Sequence, residues 1–301
     1  MDYDIVSIGH ITNDVRDMMG ERTPFVGGAA YFSPVAAART GARVLVVTKM
    51  AEKDRNSVGL LSREGVDLRF LPSRATTSIE NIFLSPDPDD RRLKMVSRAD
   101  AFTMDEVRAL PAARVYHIAA LFKDEVPDEA IRVLAARGRV ALDLQAVLRH
   151  FEGGGVAFRD WPAKAEYLPF AGYVKADSVE IQALTGTDDR EEAARMIHAW
   201  GRDGNGARAG GRMEIVITRQ DEVLAYDGES FHRAPFDPVR LDGRAGRGDT
   251  CFLSYIARRA TAGIEESVRY AAALTSIKME SPGPFAGTMA EVEERMRRQR
   301  R

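Results

Sequence analysis

Cysteine is almost absent from this sequence. Cys251 is the single cysteine among 301 residues, so no disulfide can form within the chain and a reducing compartment is favoured. Its apolar surroundings, with no histidine placed to pair with it, indicate a small buried residue rather than a catalytic thiol. The start, MDYDIVSIGH, lacks the basic residues and long apolar core of a signal peptide. We therefore expect a cytoplasmic protein.

An excess of charge of one sign and long apolar runs are also lacking. The chain has 43 basic and 45 acidic residues, so nothing in its balance indicates a nucleic-acid partner. No apolar run approaches the ~20 residues of a membrane helix, so no membrane contact is expected. A length of 301 residues suits a single domain, 1–301, with a sizeable core.

Short β-branched runs alternate with longer amphipathic stretches. Strands are expected at DIVSIGH, ARVLVVTKM, RVYHIAA, RVALDL, GYVKAD and EIVITRQ. Helices are expected at AAYFSPVAAARTG, PDEAIRVLAARG, SVEIQALTG and DREEAARMIHAWG. This alternation predicts a mostly parallel sheet with helices on both faces, and ligand sites beyond the carboxyl ends of the strands.

Two regions depart from the alternation. We expect a small antiparallel β lid from about 11–26 and 68–101, with a hairpin turn at SPDPDD, and its exposed edges would allow a homodimer. The glycine-rich stretch at 201–212 is interpreted as a surface loop.

The stretch DGRAGRGDTCFLSYIARR, residues 242–259, places a glycine-rich turn before a helical apolar pattern. The turn from Gly246 to Asp249 can bind an anion with the free N–H groups of a helix start, whereas Asp249 as a helix cap is an equally good interpretation. An adhesive Arg-Gly-Asp site is not expected in a chain with no other extracellular feature. The Gly-Lys-Ser/Thr end of a Walker loop and the three-glycine dinucleotide fingerprint are both missing.

Together these blocks resemble the ribokinase-like (pfkB) carbohydrate kinases. The similar segments, in the family's order, are IVSIGHITND, GGAAYFSPVAAARTGARVLVVTKMAEKD, GYVKADSVEIQALTG, EIVITRQDEVLAYDG, GRAGRGDTCFLSYIARR and YAAALTSIKMESPGPFAGTMAEVEER. The resemblance implies a three-layer α/β/α sandwich with a mostly parallel central sheet and a small antiparallel β lid.

The resemblance also implies an activity: transfer of the γ-phosphoryl group of ATP, with Mg2+, to a hydroxyl of a small sugar, polyol or cyclitol. Asp249 would be the general base, with Gly246, Arg247 and Gly248 forming the anion hole. The other implied site residues are Asp14, Gly27, Gly28, Phe32, Asp143, Gln145 and Arg149 on the acceptor side, and Asp177, Glu180 and Thr218 on the nucleotide side. Glu180 would act on magnesium indirectly.

Several positions depart from the family pattern. Phe32 stands where the family has a sugar-binding asparagine, and Asp177 begins the Asn-x-x-Glu motif, either near a magnesium-bound water or as a plain helix cap. Asp143 and Gln145 would point the same way at strand spacing, facing the acceptor. Arg149 is either a phosphate contact or a surface arginine.

Arg247 stands where the family more often has alanine. It would lower the pKa of Asp249 unless it is turned toward phosphate. The loop resembles the subset with inositol-type kinases, which makes a cyclitol or another polyol the first choice of acceptor. A nucleoside kinase, with Tyr31 and Phe32 stacking on a base, and a non-catalytic binding protein on the same fold remain the alternatives.

Overall fold

A computed structural model describes residues 2–85, 91–202 and 212–299. Its strands, in chain order, are β1 (Tyr3–Ile8), β2 (Thr12–Met18), β3 (Glu21–Gly27), β4 (Val44–Met50), β5 (Asp67–Pro72), β6 (Ser78–Phe83), β7 (Arg91–Ser97), β8 (Ala113–Ile118), β9 (Arg139–Asp143), β10 (Arg149–Glu152), β11 (Gly155–Phe158), β12 (Ala171–Asp177), β13 (Glu214–Thr218), β14 (Glu222–Tyr226) and β15 (Phe231–Pro235).

The helices form the outer layers. They are α1 (Ala29–Arg39), α2 (Gly59–Arg63), α3 (Met104–Arg108), α4 (Glu129–Ala135), α5 (Gln145–Leu148), α6 (Lys164–Tyr167), α7 (Ser178–Thr185), α8 (Arg190–Arg202), α9 (Arg247–Arg259), α10 (Ile264–Met279) and α11 (Met289–Arg298). None of the helices in the described ranges is both long and apolar enough to cross a bilayer.

The central sheet has nine strands in the order β15-β14-β13-β12-β9-β8-β1-β4-β5. From β13 to β5 every neighbouring pair is parallel, and β14 and β15 add an antiparallel edge. All six expected main-sheet strands are confirmed. Side chains alternate between two core layers, with Val6 and Ile8 in one and Ile5 in the other, because successive residues of a strand face opposite sides. The predicted sandwich is therefore correct.

The small sheet, called the lid below, has the order β3-β2-β6-β7. Its outer pairs are antiparallel, but the central pair of β2 and β6 is parallel. The predicted lid segment began at residue 68, whereas Asp67–Pro72 pairs in parallel with β4 and extends the central sheet. The lid therefore comes from 12–27 and 78–97. The expected turn at 86–90 and the loop at 203–211 lie outside the described residues.

Candidate active site

The start of α9 lies over the carboxyl ends of β12 and β13. A Cβ atom added to Gly248 would be 3.1 Å from Cε of Lys175 and 3.3 Å from Oγ1 of Thr218. Both of those side chains are buried. Glycine at this position lets the backbone of the helix start approach the sheet closely, so Thr218 lies beside the loop, and its role on the nucleotide side stays a prediction.

The turn before α9 offers free N–H groups. Gly246 is the N-cap residue, with φ of 73°, and no side chain of the described residues caps this helix. In the described part of the chain, the N–H groups of Gly246, Gly248 and Asp249 have no backbone acceptor, whereas the N–H of Arg247 donates to the carbonyl of Arg244 at 3.3 Å. The predicted anion hole is thus corrected at one position: Asp249, rather than Arg247, supplies the third free N–H group.

Asp249 itself is partly accessible and lies in the first turn of α9. Burial raises the pKa of its carboxyl group to about 6, and the negative charge of Asp143 adds to the rise, while Lys175, Lys278 and Arg149 oppose it. A carboxylate with this pKa is ionised at neutral pH and accepts a proton more readily than an ordinary aspartate.

Arg247 does not act on Asp249 as expected. Burial lowers the pKa of its guanidinium group, and the carboxylates whose charges act on it are those of Asp177 and Asp221. Its Nε atom is buried without a hydrogen-bond partner among the described residues. Arg247 is thus not among the charged groups that mainly set the pKa of Asp249.

A buried lysine that the sequence reasoning missed joins two of the predicted acids. Nζ of Lys175 donates to both carboxylate oxygens of Asp143, at 3.1 and 2.9 Å, and lies 3.8 Å from Oε2 of Glu180. Burial opposes this charge, but Asp143 and Glu180 raise the pKa of Lys175 well above its usual value. The signal was available: a lysine in a strand buried on both faces needs a partner, and Asp143 lies directly opposite in the register of β9 and β12.

Asp177 and Glu180 form a capping box at the start of α7. Oδ1 of Asp177 accepts from the N–H groups of Val179 and Glu180, each at 2.9 Å, and Oε2 of Glu180 accepts from the N–H of Asp177 at 2.8 Å. The helix-cap interpretation of Asp177 thus describes its contacts. Between residues 2 and 299, leaving out 86–90 and 203–211, no three Asp, Glu, His or Cys side chains are grouped as metal ligands.

The lid supplies the opposite wall. Asp14, on β2, is buried, and its Oδ1 accepts from the N–H of Ile79 at 2.8 Å. Burial raises its pKa to about 6, against the charge of Arg149. A Cβ atom on Gly27 would be 2.7 Å from Oδ2 of Asp14, and one on Gly28 would be 2.7 Å from the carbonyl oxygen of His10. The diglycine segment therefore leaves room for this carboxylate.

Arg149 connects the two walls. Its positive charge lowers the pKa of both Asp14, on the lid, and Asp249, on α9. Gln145 does not share a strand with Asp143, because β9 ends at Asp143 and Gln145 begins α5. Instead the N–H of Gln145 donates to Asp143 at 3.0 Å, and its Oε1 accepts from Arg149 at 3.1 Å. Gln145 thus orients Arg149, which corrects the predicted strand spacing.

Phe32 lies beneath the anion-binding turn. Its side chain is only 4% exposed, and a Cβ atom on Gly246 would fall 2.1 Å from Cγ of its ring. Tyr31, 7% exposed, packs edge-on against it at 5.5 Å. Phe32 thus supports the turn, while its contact with an acceptor stays a prediction. The two buried aromatic rings do not form an open slot for a base.

Known proteins are similar to this chain. The model of the pfkB family carbohydrate kinases matches residues 2–289. A cytidine kinase from Thermococcus kodakarensis is 28% identical over 269 residues, which cover 84% of this chain and 87% of that protein.

Two solved structures are also similar. A sulfate complex of a pyrophosphate-dependent kinase in the ribokinase family is 34% identical, with a TM-score of 0.86, over 96% of this chain and 99% of that one. A pyrophosphate-dependent kinase of the same family, complexed with a pyrophosphate analog and myo-inositol, is 32% identical, with a TM-score of 0.85, over 96% and 99%.

Proposed function

Because the chain belongs to the pfkB family of carbohydrate kinases, we propose that it phosphorylates a hydroxyl group of a cyclitol such as myo-inositol, with pyrophosphate as donor. The observation that carries the proposal is the pairing, at the start of α9, of free N–H groups with the raised pKa of Asp249. The N–H groups would bind the negative charge that develops on the transferred phosphoryl group, and the carboxylate of Asp249 would accept a proton.

The acceptor hydroxyl would lie between the lid and α9. Asp14 would accept a hydrogen bond from a second hydroxyl, and Asp249 would accept the proton of the reacting one. The acceptor oxygen then forms a bond to the nearer phosphorus, the bond from that phosphorus to the bridging oxygen breaks, and orthophosphate leaves. The N–H groups of Gly246, Gly248 and Asp249 would hold the transferred group, and Asp249 would return its proton to water.

Two observations favour pyrophosphate over the ATP that the sequence resemblance implied. The relatives at 34% and 32% identity are described as pyrophosphate-dependent. Arg247 also offers a buried Nε atom that has no hydrogen-bond partner within the described ranges, and the charge of Asp177 acts on its guanidinium group. Such a group suits the distal phosphate of a short donor. Magnesium, when bound, would neutralise phosphate charge. Glu180 has one oxygen committed to the capping box, so it would hold the ion only through water.

A cyclitol fits the acceptor wall better than a nucleoside. The wall consists of Asp14, the diglycine segment and Arg149, which are polar groups suited to several hydroxyls. Tyr31 and Phe32, which would stack on a base, are buried. The similarity to a cytidine kinase favours a nucleoside as the second candidate acceptor, with ATP as its donor.

A donor-by-acceptor matrix tests the proposal. Pyrophosphate and ATP, each with magnesium, are combined with myo-inositol, ribose, fructose and cytidine, and phosphorylated acceptor is measured by phosphorus NMR. We expect the highest kcat/KM for pyrophosphate with myo-inositol. Asp242→Asn, in the same loop but 56% exposed at its side chain, serves as a matched control for Asp249→Asn and should keep its turnover. Best turnover of cytidine with ATP would instead establish the second candidate.

A further inference from the structure

Lys278 is a fully buried lysine outside the groups that touch donor or acceptor in the proposed reaction. It lies at the carboxyl end of α10, and its side chain is 0% exposed. Nζ donates to the carbonyl oxygen of Gly243 at 2.6 Å and to that of Ala245. Both carbonyls belong to the segment that leads into the anion-binding turn, so this ammonium group fixes the backbone immediately before the turn.

The same segment is docked on the end of α10 by further contacts. The N–H of Gly243 donates to the carbonyl of Met279 at 2.9 Å, and a Cβ atom on Gly243 would be 1.8 Å from the carbonyl oxygen of Ser281. Phe32 closes the other side, with its ring centre 5.1 Å from Nζ of Lys278. The segment therefore has little freedom to move while the ammonium group is in place.

The bond to Ala245 determines where the next N–H group points. The carbonyl of Ala245 and the N–H of Gly246 belong to one planar trans peptide, in which these two groups point in opposite directions. When Lys278 draws the carbonyl toward α10, the N–H of Gly246 is turned away from α10. This N–H is one of those with no backbone acceptor in the described residues.

The charge needs its own explanation, because burying an ammonium group costs free energy that a methionine of similar length would not. Burial lowers the pKa of Lys278 to about 8, and the charge of Asp249 opposes this fall. The lysine thus combines hydrogen bonds to two carbonyls with an ammonium group that is mostly protonated at neutral pH.

We propose that Lys278 is a positioning residue for phosphoryl transfer: by binding the carbonyls of Gly243 and Ala245 it aims the N–H groups of the turn at the transferred phosphoryl group. The proposal rests on the kinase reaction described above. It assigns Lys278 no contact with donor or acceptor.

The test compares Lys278→Met, which removes the charge, with Lys278→Ala, which leaves space for a small cation. Lys49→Met is the matched control, because Lys49 is also buried and donates to one carbonyl, that of Ala101, far from α9 in the chain. For Lys278→Met we expect kcat to fall on the order of 10- to 100-fold, while the acceptor KM stays within about 3-fold of the parent value. Misaimed N–H groups would reduce the stabilisation of the transition state more than they reduce the binding of the acceptor. Lys49→Met should lower thermal stability without lowering kcat relative to the acceptor KM in this way.

Chemical rescue gives a readout that a merely structural role would not change. Ammonium ions donate hydrogen bonds to carbonyls, whereas tetramethylammonium ions do not. We expect ammonium chloride, but not tetramethylammonium chloride at equal ionic strength, to restore part of the kcat of Lys278→Ala. A kcat of Lys278→Met within about 3-fold of the parent would overturn the proposal, as would equal responses of Lys278→Ala to the two salts.

Orthophosphate binding separates this proposal from the proposed function. Calorimetry of inorganic phosphate with the full chain needs neither donor nor acceptor, and we expect about 10-fold weaker binding by Lys278→Ala, from loss of the aimed N–H groups. If the parent chain binds phosphate but phosphorylates no acceptor, the assignment of donor and acceptor is overturned, and the role of Lys278 in aiming the N–H groups is not. Unchanged phosphate affinity in Lys278→Ala overturns the role of Lys278. If Lys278→Met does not fold, Lys278→Ala in ammonium chloride supplies the same comparison.

Discussion

Replacing Gly246 with alanine tests whether the turn at α9 is built as described. Gly246 has φ of 73°, in the left-handed region, and its added Cβ would fall 2.1 Å from the Phe32 ring. The backbone conformation alone costs about 1–2 kcal/mol for a residue with a side chain. Displacing a packed ring costs about 1–3 kcal/mol more. We therefore expect the free energy of unfolding to fall by about 2–5 kcal/mol.

A second glycine separates these two contributions. Gly41 also has a positive φ, of 98°, but an added Cβ there would meet no atom within 4 Å in the part of the chain that the structure describes. Gly41→Ala should therefore show only the conformational cost, about 1–2 kcal/mol. The difference between the two variants, measured by urea unfolding with equal m-values, reports the clash with Phe32.

The same substitution should damage the reaction. Because the clash displaces the N–H groups of the turn, kcat of Gly246→Ala should fall on the order of 100-fold, while Gly41→Ala keeps the parent rate. Adding Phe32→Leu to Gly246→Ala should recover about 1 kcal/mol relative to additivity, because the smaller side chain makes room. The reasoning is refuted if Gly246→Ala is no less stable than Gly41→Ala and keeps its turnover.

Three further predictions concern charges. Asp249→Asn should retain the thermal stability of the parent but lose at least ~100-fold in kcat. In the parent, kcat/KM should fall as the pH drops through about 6, because protonated Asp249 accepts no proton. A kcat/KM that stays constant from pH 5 to 8 would count against Asp249 as the base. Arg247→Met should raise the KM for pyrophosphate by about 10-fold and leave the acceptor KM unchanged. If initial-rate measurements give the variant and the parent the same KM for pyrophosphate, Arg247 does not belong to the donor site. Lys175→Met, which leaves Asp143 without its buried partner, should lower the free energy of unfolding by about 3–5 kcal/mol. The double variant Lys175→Met with Asp143→Asn should recover part of this loss. Denaturant titration would contradict the buried pair if both variants unfold with the same free energy as the parent.

The sequence predicted the central sheet well because its strands carry a strong local signal. In β4 all seven residues are buried, and the continuous apolar run at its start, 44–47, is typical of a strand covered on both faces. The lid boundary was harder. Asp67–Pro72 is an edge strand of mixed polarity, with exposed and half-buried residues, so its local pattern does not distinguish an edge of the large sheet from a strand of the lid.

Contacts between distant segments set the limits of prediction at the site. Phe32 and Gly246 are far apart in the chain, so their packing has no local signature, and Phe32 was assigned to the acceptor instead. The position of Gln145 depended on where β9 ends, which is the least certain feature of any strand. Thr218 and Asp249 were recognisable as candidates because the carboxyl ends of parallel strands and a glycine-rich helix start leave local signals in the sequence, and their roles stay predictions. Asp14, on β2 of the lid, came from the family resemblance alone.

The buried thiol of Cys251 gives the molecule a built-in reporter. The side chain is 0% exposed, and burial raises its pKa to about 12, so the folded protein presents almost no thiolate to a modifying reagent. It lies on α9, two residues after Asp249. Since it is the chain's single cysteine, the rate of its modification measures how often this helix opens, and each ligand that binds at the helix start should slow that rate.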